Sequence, residues 1–184
     1  MMNILIVVDM QKDFVNGSLG TDEAQEMVQN LVQVISSHQG PIIATLDTHA
    51  EDYMNTSEGK HLPVSHCIKG TDGWQLDRQI AKALKEREKD TTVRYVEKPT
   101  FGSVQLPDII KEMTEGKDFS LIFTGLCTDI CVISNALLLK AHFPETEMKV
   151  LADCCAGVTP QKHEAALEVM SSCQIEVVRG ERHV

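Results

Sequence analysis

A chain of 184 residues, 42% hydrophobic and 24% charged, has the size and balance of an ordinary globular protein, so a single domain over residues 1–184 without a linker is expected. Pro and Gly are too few for a disordered chain. The net charge of −10 leaves no basic stripe with which to displace counterions from a phosphate backbone, which argues against a nucleic-acid partner.

The chain opens MMNILIVVDM. Asp9 interrupts this apolar run far short of the ~18 to 20 residues that cross a bilayer, and neither a basic leader nor a cleavage site follows, so residues 4–8 read as a first strand. Continuous and rich in β-branched side chains, the run predicts burial on both faces of a parallel sheet. Met27, Leu31, Val34 and Ile35 recur at helical spacing over residues 22–37, and Gly40 with Pro41 ends that helix. A second strand covers 42–46 and stops at Asp47. Residues 50–73 are long, polar and irregular, a pattern that in compact domains marks a functional or a disordered loop.

Beyond that loop the periodicity predicts a helix over 75–84, a strand over 91–96, a helix over 104–113 and a strand over 119–124. A long apolar-periodic segment then runs to Phe143, and a further strand covers 149–152. The last helix, Pro160–Ser172, has Thr159 as its cap and Pro160 at its first position, and 175–178 closes the sheet. Strands alternating with helices predict a doubly wound α/β fold. Its mostly parallel sheet has about six strands with helices on both faces, and its ligand crevice lies outside the strands' carboxyl ends.

Six cysteines, at 67, 127, 131, 154, 155 and 173, are spread through a chain large enough to need no disulfide staples, so free thiols and a reducing cytoplasm are expected. Cys127 and Cys131 sit at a strand-to-helix junction, where unpaired amides favour a thiolate. As a zinc half-site or a redox pair, this spacing lacks the second pair it needs. His163 and Glu164 open a zincin-like string that lacks the second histidine. Cys154, Cys155 and Cys173 read as packing residues.

Asp9, Lys98 and Cys131 each follow a predicted strand, so all three belong to one rim of the sheet. A carboxylate can take the thiol proton, an ammonium can hold the anions, and a thiolate can attack a carbonyl. Covalent acyl transfer is the reaction that these three groups suggest, with Asp13 as a structural carboxylate. In the bland reading Asp9 caps a turn, Lys98 is a solvated loop lysine and Cys131 is a small core residue.

The segments VVDMQKDF (7–14), TLDTH (45–49), HCIKGT (66–71), EKPTFGS (97–103) and GLCTDICV (125–132) resemble, in this order, the cysteine hydrolases of the isochorismatase-like superfamily. The nicotinamidase-like amidases of pyridine nucleotide biosynthesis are the nearest match, and the resemblance extends over almost the whole chain. It implies Asp9 as acid-base, Lys98 as the catalytic lysine and Cys131 as nucleophile. It also implies a non-proline cis peptide between Leu126 and Cys127, and an oxyanion hole made by the backbone N–H groups of Cys127 and Cys131.

A carboxylate and two imidazoles, Asp47, His49 and His66, can meet at the same rim and suit divalent zinc, iron or manganese with positions left open. In the family the corresponding set binds a metal that accepts the substrate's pyridine nitrogen. Glu58 is the candidate fourth ligand and His61 the alternative, and related amidases without an ion leave a metal-free site open. Phe14, Leu126, Phe101 and Trp74 are candidates for the substrate pocket, although with 4% aromatics any of the three rings serves equally as core. Two departures stand out: Thr48 occupies a place where many nicotinamidases have an aromatic, and PTFGS replaces a tyrosine-containing tract.

The resemblance implies hydrolysis of a small amide, nicotinamide first, with carbamoyl, ureido or maleamate-type amides of the same superfamily as the alternative. A third reading is a non-enzymatic small-molecule binder. A homo-oligomer and a cytoplasmic location are expected, with no nucleic-acid or membrane partner.

Overall fold

The computed structural model describes residues 1–180. Six strands, β1 (Met2–Val8), β2 (Ile42–Asp47), β3 (Val93–Lys98), β4 (Phe119–Leu126), β5 (Met148–Ala156) and β6 (Glu176–Val178), form one sheet in the order β3-β2-β1-β4-β5-β6. Every pairing is parallel, where the sequence led to a mostly parallel sheet. Crossover connections on both faces leave no room for a hairpin-linked antiparallel strand.

The alternation along β1 explains the layering. Leu5 and Val7 point into one core with Val28, Leu31 and Ile35 of α3 (Val28–Ser37) and Ile80 and Leu84 of α5 (Arg78–Arg87). Ile4, Ile6 and Val8 point into the other, with Ile110 of α6 (Leu106–Thr114), Leu139 of α7 (Ile133–His142) and Met170 of α8 (Pro160–Ser172). A strand with period two whose residues 4–8 are all apolar and buried must be covered on both sides there, which is why the helices divide into two layers.

Four expectations shift. The helix drawn over 22–37 is two pieces, α2 (Asp22–Glu26) and α3, broken at Met27. The helix drawn over 75–84 starts at Arg78, because the Asp77 side chain accepts from the amides of Gln79 and Ile80 and caps it there. The motif residues after β1 form a further short helix, α1 (Lys12–Val15). The irregular stretch 50–73 contains a 3-10 turn (Tyr53–Asn55) and a short helix, α4 (Ser57–His61), capped by Thr56. The cap at Thr159 is as expected, accepting from the Lys162 amide.

Strand order reverses at β1, whose neighbours are β2 and β4, so the crevice of a doubly wound sheet opens between β1 and β4. Here Val8 lies opposite Gly125. A Cβ on Gly125 would stand 2.1 Å from the Val8 carbonyl oxygen, and its φ of +109° is one that side chains avoid. Only glycine lets the two strand ends run this close.

Candidate functional site

Four adjacent strands end in chemistry. Lys98 is the last residue of β3 and lies opposite Asp47, the last of β2. Asp9 follows β1 in a left-handed conformation (φ +46°), a region in which Asp is among the better-tolerated side chains. Beyond β4, a single π-type turn (Thr128–Val132) carries Cys131 into α7. The Lys98 ammonium lies 2.7 Å from Asp9 Oδ2, 3.4 Å from Asp47 Oδ1 and 3.5 Å from Cys131 Sγ, and donates to the Thr100 carbonyl at 3.1 Å. All four side chains are buried. The sequence-derived trio is therefore in mutual contact.

Burial and charge pull against one another across the trio. Burial pushes the Cys131 thiol well up, and the charge of Asp9 adds to this while Lys98 only partly opposes it. Burial also raises Asp9 against the pull of Lys98. Lys98 itself is raised: burial acts against its charge, but Asp9, Cys131 and Asp47 outweigh it. Burial and the neighbouring carboxylates thus oppose the thiolate that the Lys98 ammonium and the helix amides favour. Asp9 Oδ1 accepts from Thr45 Oγ1 at 2.6 Å, whereas buried Oδ2, touched by the ammonium off the hydrogen-bonding direction, keeps lone pairs free to receive a proton.

Beside this trio, one ligand atom from each of Asp47, His49, Glu58 and His66 lies within 4.8 Å of the other three. His49 Nε2 is 3.0 Å from Asp47 Oδ2 and 3.6 Å from Glu58 Oε1, and His66 Nε2 is 3.6 Å from both carboxylates. Metal bonds of about 2.0–2.1 Å in tetrahedral geometry put ligand atoms roughly 3.3 Å apart, so the spacing fits a divalent ion. The charges fit as well: three carboxylates face one ammonium, an excess of two negative charges. Burial first, and Asp47 with it, raises the Glu58 pKa. The donor of the His66 ring is also assigned, since Nδ1 faces the Val64 carbonyl at 2.8 Å and leaves Nε2 as the ligand atom. Glu58 comes from the first turn of α4, while His61 turns its Nδ1 to the Ser57 carbonyl at 2.8 Å and stands outside the group.

Asp13, read from the sequence as a structural carboxylate, and several residues that the sequence left without a role hold these groups in place. Buried Gln11 accepts from the Asp47 amide at 2.7 Å and donates to its carbonyl at 2.8 Å, clamping the end of β2. Asp13 accepts from the Cys67 amide at 2.8 Å, and the His49–Ile68 bridge adds residues 67–69 to the rim of the sheet, fixing His66. Tyr53, fully buried, packs its ring against both His49 and His66. Buried Asn135 donates to the carbonyls of Cys131 at 2.8 Å and Phe101 at 3.2 Å and accepts from the Ser103 amide at 2.8 Å, tying the nucleophile's turn to the segment after Lys98. Gln11 and Asp13 lie inside VVDMQKDF, where a buried amide so close to a strand end was the available signal; nothing local marked Asn135 or Tyr53.

A cavity of about 600 Å³ opens onto Cys131 of the trio and onto Asp47, Glu58 and His66, and is lined by Phe14, Leu126 and Phe101, among others. Trp74 does not line it, which corrects its place among the pocket candidates. Its indole N–H donates to Thr48 Oγ1 at 2.9 Å and its ring packs against a core layer. Thr48 follows Asp47 and turns the other way by strand alternation, so the departure at that position changes the packing around Trp74 and not the cavity wall. The Leu126–Cys127 peptide is cis, as the resemblance implied. Burial first, then nearby carboxylates, pushes the Cys127 thiol up to about 12.

The isochorismatase domain profile matches residues 3–182. A nicotinamidase/pyrazinamidase of Mycobacterium tuberculosis (strain ATCC 25618 / H37Rv) is 27% identical over 190 residues, 96% of this chain and 98% of that protein. The crystal structure of nicotinamidase/pyrazinamidase PncA from Bacillus subtilis superposes with a TM-score of 0.82 at 24% identity, covering 97% of this chain and 100% of that one. The zinc complex of a Pyrococcus horikoshii pyrazinamidase gives 0.76 at 25%, with 98% and 100% covered.

Proposed function

Because the chain belongs to the isochorismatase domain family, we propose that it is an amidohydrolase of the nicotinamidase/pyrazinamidase type, converting nicotinamide to nicotinate and ammonia through a thioester on Cys131. One observation carries the reading: Lys98 touches both Asp9 and Cys131 in a buried cluster at the floor of a cavity that also exposes Asp47, Glu58 and His66.

Asp9 Oδ2 takes the thiol proton as Cys131 Sγ attacks the amide carbon, so the anion forms only with the new S–C bond and a raised resting pKa is no obstacle. Lys98 stays charged and balances the Asp9 carboxylate before the attack, the negative charge passing through sulfur during it, and the carboxylate again once the proton is given up. The N–H groups of Cys127 and Cys131 donate to the oxyanion. Asp9 returns the proton to the departing nitrogen, ammonia leaves, and the acyl group remains on sulfur. Asp9 next draws a proton from water as its oxygen attacks the thioester, and the thiol is restored as the acid is released.

Asp47, His49, Glu58 and His66 would hold a divalent zinc, iron or manganese ion, which when bound supplies a Lewis-acid anchor for a ring nitrogen. The chain's own residues orient the remainder: Phe14 and Leu126 give the ring apolar walls, and the cluster's burial keeps bulk water from the thiol.

The test is ammonia release from nicotinamide, pyrazinamide, N-carbamoyl amino acids, ureido acids and maleamate under one set of conditions. Nicotinamide is expected to have the highest kcat/KM. Turnover of a carbamoyl or maleamate substrate with nicotinamide inert would overturn the assignment within the same family, and no turnover of any amide would overturn the enzyme.

A further inference from the structure

We propose that the site takes heteroaromatic amides bearing an apolar substituent on the ring, directed away from both the amide and the ring nitrogen to a rim formed by Leu19, Ala24, Phe101, Ile130 and Val158. The proposal deepens the amidase reading above and rests on it. The cavity of about 600 Å³ lies in the range of sites for drug-sized ligands, about 300–1,000 Å³, and an unsubstituted pyridine carboxamide fills only part of it.

Its charged and reactive groups are gathered together. Asp47, Glu58, His66 and the Cys131 thiol form one cluster, with Thr21, Ser57, His61 and Thr100 as further polar lining. The rim comes from separate segments: Leu19 and Ala24 around the start of α2, Phe101 after β3, Ile130 in the turn after β4 and Val158 after β5. Phe101 and Val158 are 46% and 42% exposed, large apolar groups left in water beside an apolar opening, which gain by being covered. Val158 is held in place, its amide donating to Asp129 Oδ1 at 2.9 Å. Among the described residues that line the cavity, only Lys162 has a permanent charge apart from the two carboxylates of that cluster, and its stem is itself apolar.

Ammonia release is measured from nicotinamide and from nicotinamides with methyl, ethyl and propyl groups on the ring carbon that is meta to both the amide-bearing carbon and the ring nitrogen. A chain ending in a carboxylate is included in the series. In the alkyl series kcat/KM is expected to rise about two- to fourfold per added carbon, through KM with kcat held, because the gain is in binding alone. Val158→Asn, at an exposed position, is expected to lower the propyl-to-parent ratio by about threefold. A flat or falling series with nicotinamide still cleaved overturns the proposal and leaves the amidase reading standing. A greater gain from the carboxylate chain than from propyl assigns the rim to Lys162 and overturns it as well. Loss of ammonia release from every amide, nicotinamide included, overturns both.

Discussion

At the scale of single residues, the two cysteines of GLCTDICV differ by what surrounds them. Cys131 Sγ lies 3.5 Å from the Lys98 ammonium, whereas for Cys127 burial and carboxylates act together with only distant help from Lys98. Cys131→Ala is therefore expected to lower kcat by at least about a thousandfold, the scale on which loss of a nucleophile is felt. Cys127→Ala should keep most of the rate, since its proposed contribution is a backbone N–H. Steady-state ammonia release compares the two, and equal residual rates would contradict the assignment. Asn135 belongs to the same scale. Asn135→Ala leaves the buried carbonyl of Cys131 and amide of Ser103 without this partner, at a cost of about 1–3 kcal/mol each for groups that water cannot reach. A fall in the urea midpoint together with a lower kcat checks this, and an unchanged midpoint would show that Asn135 holds nothing.

Elements matter here through their ends. β1 and β4 approach so closely at Val8 and Gly125 that a methyl group meets backbone, and the φ of Gly125 is unfavourable for any side chain. Gly125→Ala is expected to destabilise the protein by at least about 1–3 kcal/mol, the range for a strained backbone residue, and to displace the turn that carries Cys131. Urea unfolding and ammonia release measured together would report both effects, and a variant with wild-type stability and rate would remove the glycine from the argument. The π-type turn and α4 are likewise short elements whose value is placement: one aims Cys131, the other delivers Glu58 from a stretch that otherwise reads as loop.

For the whole molecule, the four-residue group links the rim of the sheet to the excursion over 50–73, so a bound ion and the fold are coupled. Removing divalent ions with a chelator is expected to lower Tm and nicotinamide hydrolysis together, with zinc, iron or manganese restoring both. An ion at a hundredfold excess over its Kd stabilises by about 2.7 kcal/mol. Full activity in a metal-free sample would strike the ion from the mechanism. No helix among the described residues is long and apolar enough to cross a membrane. Much of this organisation is legible in the chain itself. Continuous apolar runs declare strands buried on both faces, helical spacing declares their coverings, and the rule for parallel sheets then puts Asp9, Asp47, Lys98 and Cys131 on one edge, because each lies at or just beyond the carboxyl end of its strand. That inference needs only local periodicity and chain direction. The remainder depended on contacts between residues far apart in sequence: Glu58 in place of His61, Trp74 turned to Thr48 and away from the cavity, Gln11 on Asp47, Asn135 between two turns, and a thiol whose pKa burial raises. Side-chain direction in irregular segments and the balance of desolvation against charge are set by neighbours that only the folded chain assembles, so tertiary structure alone decided them.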